Sequence, residues 1–579
     1  MPPPSSVTVS PPGSPSSRQR RLHLALVCVC AALAYANTLG NRFAWVDLLL
    51  IESNPWIRDF QHLGDIFGSD LWAFIPSAGL SRNYYRPLVH VTFLLCHAIF
   101  GLQPWGYHLL LLVGHAAVSA LVYLVGLIFC ARRQSGPLAA LAAGLLFAVH
   151  PIHTESVAWI SSVNDVAMTL GALAAAWWMM TSGPGLTGRC LLAGLALFFA
   201  LLFKEPAVLL PAMVFVYDFV VGSRAWSLRQ WMGRYAPLLV ALVLYAALRL
   251  PALSGAPRTL HYMSLGTWGL ILNILPLLAQ YLGGLVLPLE LNAVHVFKPI
   301  TSPADPQLIA GVGALAGLVV AALLLWRRAP TAFVALVWCL LAVVPQLYIP
   351  VLGVNAFSER YLYLPSVGFL LLVGWVLEEL ERWRPTARPW LLGGLAMVVV
   401  AGGVATALRN RVWYDNLTLW SDTVSKSPEE PSVQAGMGSA LLKRGMPTEA
   451  IAHLELARKS NPEVLSDLAV AYAQTGRLLE AESVLREVIR FEPENAGGWL
   501  NLCLVRKNLK QLPSALEACE TAARLEPRLP EVRTSFGQLL WLQGRVSEAE
   551  QQLREALALN PDFAPARRLL ERIVRDRTP

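Results

Sequence analysis

Asp47, Arg86, His108, His150, His153, Glu155, Asp165, Lys204 and Arg360 all stand where a long apolar run meets a short polar segment. A carboxylate in such a place loses solvation and gains basicity, and a cation there faces whatever negative charge develops nearby. Proton transfer and charge stabilisation at a membrane surface are the chemistry this set would support. The plainer alternative is that Arg86, Lys204 and Arg360 snorkel to lipid head groups or pair with Glu205 and Glu359. His150, His153 and Glu155 lack the four-residue His-to-His step of a helical zinc pair, and Pro151 breaks the local helix, so a divalent metal is not favoured. His108 and His115 lie seven apart on one helical face. His115 reads as a satisfied interior histidine, and His108 as the one nearer the outer face. Asp218, near the inner end of its apolar run, reads as structural.

The apolar runs that must position these residues dominate the chain. Of 579 residues, 55% are hydrophobic and only 15% charged, and the mean hydropathy is +0.49. Lipid can hide that much apolar surface; a water-soluble fold cannot. The net charge of +8 lies in short clusters between runs, which reads as membrane topology and argues against a nucleic-acid partner. Spans are expected at 22–39, 107–131, 135–150, 166–182, 188–203, 206–222, 235–250, 307–326, 329–350, 365–380 and 389–408. Treating 86–101 and 268–288 as interfacial or re-entrant helices puts Arg18/Arg20/Arg21, Arg132/Arg133, Arg224/Arg229/Arg234, Arg327/Arg328 and Arg382/Arg384/Arg388 on the cytoplasmic side. About eleven spans then leave the C-terminal region outside, with segments 40–85, 151–165, the Lys204-Glu205 junction and 351–364. The Pro/Ser-rich start falls in a disordered cytoplasmic tail, 1–21; an uncleaved first span is preferred to a signal peptide.

From Arg409 the chain becomes charged and periodic. Gly438, Ala469, Cys503 and Gly537 recur at close to 34 residues, as do Ala450, Ala481, Ala515 and Ala549, and Pro462, Pro493, Pro527 and Pro561 end the units. This spacing resembles the tetratricopeptide repeat, two antiparallel helices per unit with small residues where they cross. The expected fold is therefore all-α: a polytopic membrane domain over 22–408, a linker helix over 409–430, and a solenoid over 431–579 closed by a capping helix. By repeat phase, Lys507, Asn508, Gln538 and Trp541 line a groove, with Leu504 and Leu542 shared between groove and core. Cys503 and Cys519 lie on paired helices; packing as small apolar residues is preferred to a disulfide.

Several motifs carry a wider resemblance. They are Phe43-Ala44-Trp45-Val46-Asp47, Arg82-Asn83-Tyr84-Tyr85-Arg86-Pro87-Leu88, Gly106-Tyr107-His108, His150-Pro151-Ile152-His153-Thr154-Glu155-Ser156-Val157-Ala158-Trp159-Ile160-Ser161, and Ser358-Glu359-Arg360-Tyr361-Leu362-Tyr363-Leu364-Pro365. In this order, with the repeats attached, the chain resembles the transmembrane and tetratricopeptide repeat-containing O-mannosyltransferases and their bacterial relatives. These belong to the membrane-embedded type C glycosyltransferases. The resemblance implies an inverting transferase that moves a sugar, mannose by analogy, from a polyprenyl-phosphate donor to a protein Ser/Thr hydroxyl. The work would be done on the extracytoplasmic face, in the cytoplasmic membrane of a bacterium or the endoplasmic reticulum of a eukaryote, with the repeats presenting the acceptor protein. It makes Asp47 the catalytic carboxylate and Arg86, Lys204 and Arg360 the cations facing the phosphate. His108, His150, His153, Glu155 and Asp165 would contact sugar or phosphate, Asp165 alternatively capping the next span. The family pattern has a second acid where Val46 stands, an Arg where Val163 stands, and often an Asn where Leu111 stands. Those three exchanges support the alternative, a weakened or inactive scaffold that recruits proteins through its repeats.

Overall fold

The computed structural model describes residues 15–75, 83–133, 136–222, 226–253, 265–349, 356–458 and 464–577. The expected tail lies outside them except for its last residues, as do Arg82, Arg224, Pro462 and part of the 351–364 segment. Among the described residues every regular element is helical. The chain divides into two compact units, Met1–Leu419 and Trp420–Pro579, and the division falls inside the helix Asn416–Lys426.

In the first unit, seven helices among the described residues are long and apolar enough to cross a membrane: Ser17–Gly40, Pro104–Arg132, Leu228–Ala252, Thr267–Val286, Pro306–Arg328, Pro330–Leu347 and Pro385–Trp413. An eighth candidate is the pair Leu138–Val149 and Pro151–Ala158, bent by 48° where Pro151 denies the helix a backbone donor. Several expectations shift. The first helix begins at Ser17, capped by Ser16, so Arg18, Arg20 and Arg21 are helical rather than part of a tail. The 268–288 stretch, expected to be interfacial, is the continuous helix Thr267–Val286, whose 20 residues reach about 30 Å and match a bilayer core. The 86–101 stretch is the 14-residue helix Pro87–Phe100, too short to span. Expected spans at 188–203 and 206–222 are likewise short, Gly188–Phe203 and Leu210–Val220.

Arg234 is not a free basic anchor. It is buried and grips Asp218 with two hydrogen bonds, Nε to Oδ2 at 2.7 Å and Nη2 to Oδ1 at 2.9 Å. Asp218 is thus structural. His115 is likewise held inside, between the Tyr363 hydroxyl at 2.8 Å and the Ala148 carbonyl at 3.2 Å.

The second unit stacks helix pairs: Pro431–Lys443 with Pro447–Arg458, Leu465–Gln474 with Leu478–Phe491, Ala496–Asn508 with Leu512–Leu525, and Pro530–Leu542 with Val546–Leu559. Ala564–Arg577 follows. Small residues sit where the helices cross: Ala450, Ala481, Ala515 and Ala549 are fully buried, and a Cβ on Gly438 would come within 2.5 Å of Leu454. Cys503 and Cys519 are joined in a disulfide across one pair, Cα atoms 5.2 Å apart. The expected packing as free thiols is corrected: the close helix crossing that selects small residues also brings two of them within bonding reach.

Candidate functional site

Asp47 sits at the end of a tight turn. Its backbone N–H donates to the Ala44 carbonyl at 3.1 Å, and Ala44 N–H donates to its Oδ2 at 3.1 Å. Oδ1 accepts from Ser161 twice, from the backbone N–H at 2.8 Å and from the hydroxyl. The side chain is buried, and its pKa is pushed up to about 7, first by desolvation, which the three donors only partly offset. The turn forces Trp45 to φ +55°, a left-handed conformation that a bulky residue adopts only when its surroundings hold it there. Three contacts do so. Its N–H donates to Asn416 Oδ1, and its ring stacks 4.9 Å from Trp159 and 6.5 Å from Trp413.

That aromatic stack is the bridge to the cations. The Arg360 guanidinium lies over Trp159 at 5.4 Å and over its neighbour Tyr361 at 4.9 Å. It pairs with buried Glu155, which also accepts the Arg360 backbone N–H at 2.9 Å. Lys204 Nζ meets Asp165 Oδ1 at 2.5 Å and lies 5.2 Å over the other side of the network at Tyr361. Burial lowers the Lys204 pKa, and Asp165 works against that shift. Arg86 and Arg249 share Glu205, at 2.9 and 3.2 Å, with Arg86 4.5 Å over Tyr84. Each cation therefore has a carboxylate partner. Asp165 Oδ2, in contrast, is buried with no hydrogen-bond partner.

The fold thus brings Asp47, Arg86, Glu155, Asp165, Lys204 and Arg360 into one network. It does not bring the histidines there. His150 bonds the Leu285 carbonyl at 3.1 Å and accepts from Ile152 N–H. His153 bonds the Phe147 carbonyl at 3.0 Å and Ser366 Oγ at 2.8 Å. Both rings are thus hydrogen-bonded within the protein, on either side of the Pro151 bend. His108 is buried beside the Arg42 backbone. Arg360 pairs with Glu155, not with Glu359. Val46 packs among apolar side chains, and Leu111 and Val163 are buried in the same way. Sequence reasoning missed Ser161, Trp159, Tyr361, Arg249 and Trp413. The first three lay inside motifs already noted, Arg249 was hidden in an apolar run, and nothing local marked Trp413.

In the repeat unit, Lys507 Nζ donates to Gln538 Oε1 at 2.9 Å, across two successive repeats. Asn508 and Leu542 are exposed and Leu504 is half-buried. Trp541 is half-buried with Arg572 5.2 Å over its ring, so it offers less free face than expected.

Fold and site together define a polytopic helical membrane protein with a tetratricopeptide-repeat solenoid, and residues 441–502 and 509–573 match the tetratricopeptide repeat model. Over nearly its whole length the chain is similar to proteins named protein O-mannosyl-transferase TMTC3. The mouse protein is 26% identical over 93% of this chain and 64% of its own length; the Drosophila melanogaster one is 25% identical over 96% and 66%. Mouse protein O-mannosyl-transferase TMTC2 is 34% identical over 33% of this chain and 23% of its own. The chain therefore spans about 64% of the first of these relatives. A solved thermophilic TPR protein of Thermus thermophilus aligns with 31% of this chain and 94% of its own, at 23% identity and a TM-score of 0.25.

Proposed function

We propose that the protein is a membrane glycosyltransferase that moves a sugar, mannose by analogy with the names of its relatives, from a polyprenyl-phosphate donor to a Ser/Thr hydroxyl of a protein. The carrying observation is the continuous path from Asp47 through the tryptophan stack to Arg360, Lys204 and Arg86. As the bond from C1 to phosphate breaks, positive charge grows on C1 and negative charge on the phosphate. A buried carboxylate poised near neutrality suits the first, and paired cations in a desolvated setting suit the second. Arg360 and Lys204 would take the phosphate while keeping their carboxylates, because a Glu155 or Asp165 stripped of its cation would be a buried, unpaired charge. Asp165 Oδ2, buried and unpartnered, would accept a sugar hydroxyl.

In this reading the reaction faces the extracytoplasmic side, and the repeats hold the acceptor protein there through the surface around Lys507, Asn508 and Gln538. The disulfide between Cys503 and Cys519 supports an oxidising compartment for the repeats. A second reading, an inactive scaffold, draws support from the aliphatic Val46, Leu111 and Val163. The deciding experiment incubates membranes carrying the protein with radiolabelled polyprenyl-phosphate mannose and a pool of Ser/Thr peptides. Label should reach peptide with the wild type and not with Asp47→Asn. No transfer by the wild type, with a cellular phenotype indifferent to Asp47→Asn, leaves the scaffold.

A further inference from the structure

We propose that His295, held by the buried carboxylate of Glu359, is a second acid–base group of this site and takes the proton of the acceptor hydroxyl; this rests on the glycosyl-transfer reading above. His295 Nε2 lies 3.2 Å from Glu359 Oε1, with the Glu359 side chain 1% exposed and that of His295 17%. Glu359 also accepts the backbone N–H of Asn292. The loop bearing His295 is thereby tied to the Arg360 motif at two points. Glu359 Oε2 is buried with no hydrogen-bond partner.

A carboxylate behind a partly open imidazole sets the tautomer: Nε2–H donates inward, and Nδ1 is left as the outward acceptor. The location fits the site. Glu359 is the residue before Arg360, and its charge acts on Glu155. Ala293, two residues before His295, packs in one cluster with Ala44, Trp159 and Trp413, the wall of the Asp47 turn. Phe357 fixes the imidazole ring edge-on at 4.7 Å.

The chemistry also asks for such a group. With Val46 in the second acidic position, a lone Asp47 would have to offset the charge on C1 and receive a proton in the same step. Three hydrogen-bond donors already hold its oxygens. A second acceptor separates the tasks. The acceptor O–H bond breaks and its proton goes to His295 Nδ1 as the oxygen bonds to C1. The bond from C1 to phosphate oxygen breaks, and its electron pair leaves on the phosphate. Asp47 stays ionised beside C1, and the proton passes from the partly open imidazole to water.

The test uses the full-length protein in membranes with radiolabelled polyprenyl-phosphate mannose and the peptide pool. His295→Ala should lower kcat about 10²-fold while the donor KM stays within about twofold, and added imidazole should restore at least tenfold of the loss. Glu359→Gln should lower kcat and resist imidazole. His295→Gln, which keeps a donor to Glu359 without a base, should be as slow as His295→Ala. Wild-type rates in His295→Ala, full activity in His295→Gln, or a loss that imidazole leaves untouched would each overturn the pair while leaving the transferase reading standing. A wild type that transfers no mannose overturns the transferase reading and the pair with it.

Discussion

Asp47→Asn separates catalysis from folding, and the structure gives both magnitudes. The wild-type carboxyl rises from its ordinary 3.8 to about 7. At 1.4 kcal/mol per tenfold, holding it ionised in the fold costs on the order of 4 kcal/mol. A carboxyl whose folded pKa exceeds its unfolded value binds a proton more tightly on folding. Its favourable contribution is therefore present at low pH and lost as pH rises from 3.8 through about 7. Asparagine carries no charge and escapes that loss. It keeps an oxygen for Ser161 but turns an amide N–H₂ toward the Ala44 N–H, two donors face to face, at about 1–3 kcal/mol. Relative to wild type, Asp47→Asn should therefore melt lower below about pH 4, where the wild type keeps its full contribution, and at equal or higher temperature at pH 8. Thermal unfolding of the purified protein in detergent reads this directly. Transfer, assayed on the same samples, should rise through pH 7 in the wild type as Asp47 ionises, and fall about 10²–10⁴-fold in the variant at pH 8. Equal destabilisation at both pH values would refute the buried, protonatable carboxylate. Undiminished transfer by a folded variant would refute its role.

Arg360→Ala should lower transfer about 10²–10³-fold and also destabilise, since Glu155 is left buried and unpaired at about 3–5 kcal/mol. Arg360→Lys should recover stability before activity, as thermal melts and transfer rates on the pair will check. Val46→Asp should raise kcat if the protein is a slowed transferase, and leave the rate unchanged if the sugar site has decayed. Cys503→Ala with Cys519→Ala should cost the repeat unit about 2–4 kcal/mol, seen in denaturant melts of the full chain. In the wild type a maleimide should label neither cysteine until a reductant is added. A reporter active only outside the cytoplasm, fused after Pro579, should be active if the Cys503–Cys519 disulfide forms in an oxidising compartment; cytoplasmic behaviour would move the repeats inward. Asn416-Leu417-Thr418, by sequence a usable glycan acceptor in a eukaryotic secretory membrane, should stay unmodified in the folded protein because Asn416 Oδ1 holds Trp45 N–H; a glycan there would show by mass shift.

Whatever depends on period and solvent was readable from the chain alone. A run of apolar residues must seek lipid, and a small residue recurring at about the 34-residue spacing of the repeat must mark a helix crossing, so the all-α class and the repeat solenoid were legible. So was the gathering of polar groups at apolar boundaries, because isolated charges there are costly and only partnership or function retains them. Boundaries were less legible: whether Thr267–Val286 spans or lies flat depends on what packs beside it, not on its hydropathy. Partner choice was legible for Arg86, which meets Glu205 as one of the expected pairs, but not for Arg360. Arg360 could equally have met Glu359, one residue away, yet the Pro151 bend delivers Glu155 to it and frees Glu359 for His295. Trp413 reaches Trp45 and Trp159 only because the last apolar helix of the unit returns beside the first loop. His150 and His153 bond carbonyls within the protein, since a bend at a proline strands carbonyls that imidazoles can satisfy. Two cysteines that looked like filler became a disulfide. Pairing, stacking and bonding depend on distances between residues far apart in the chain, and only the tertiary structure sets those.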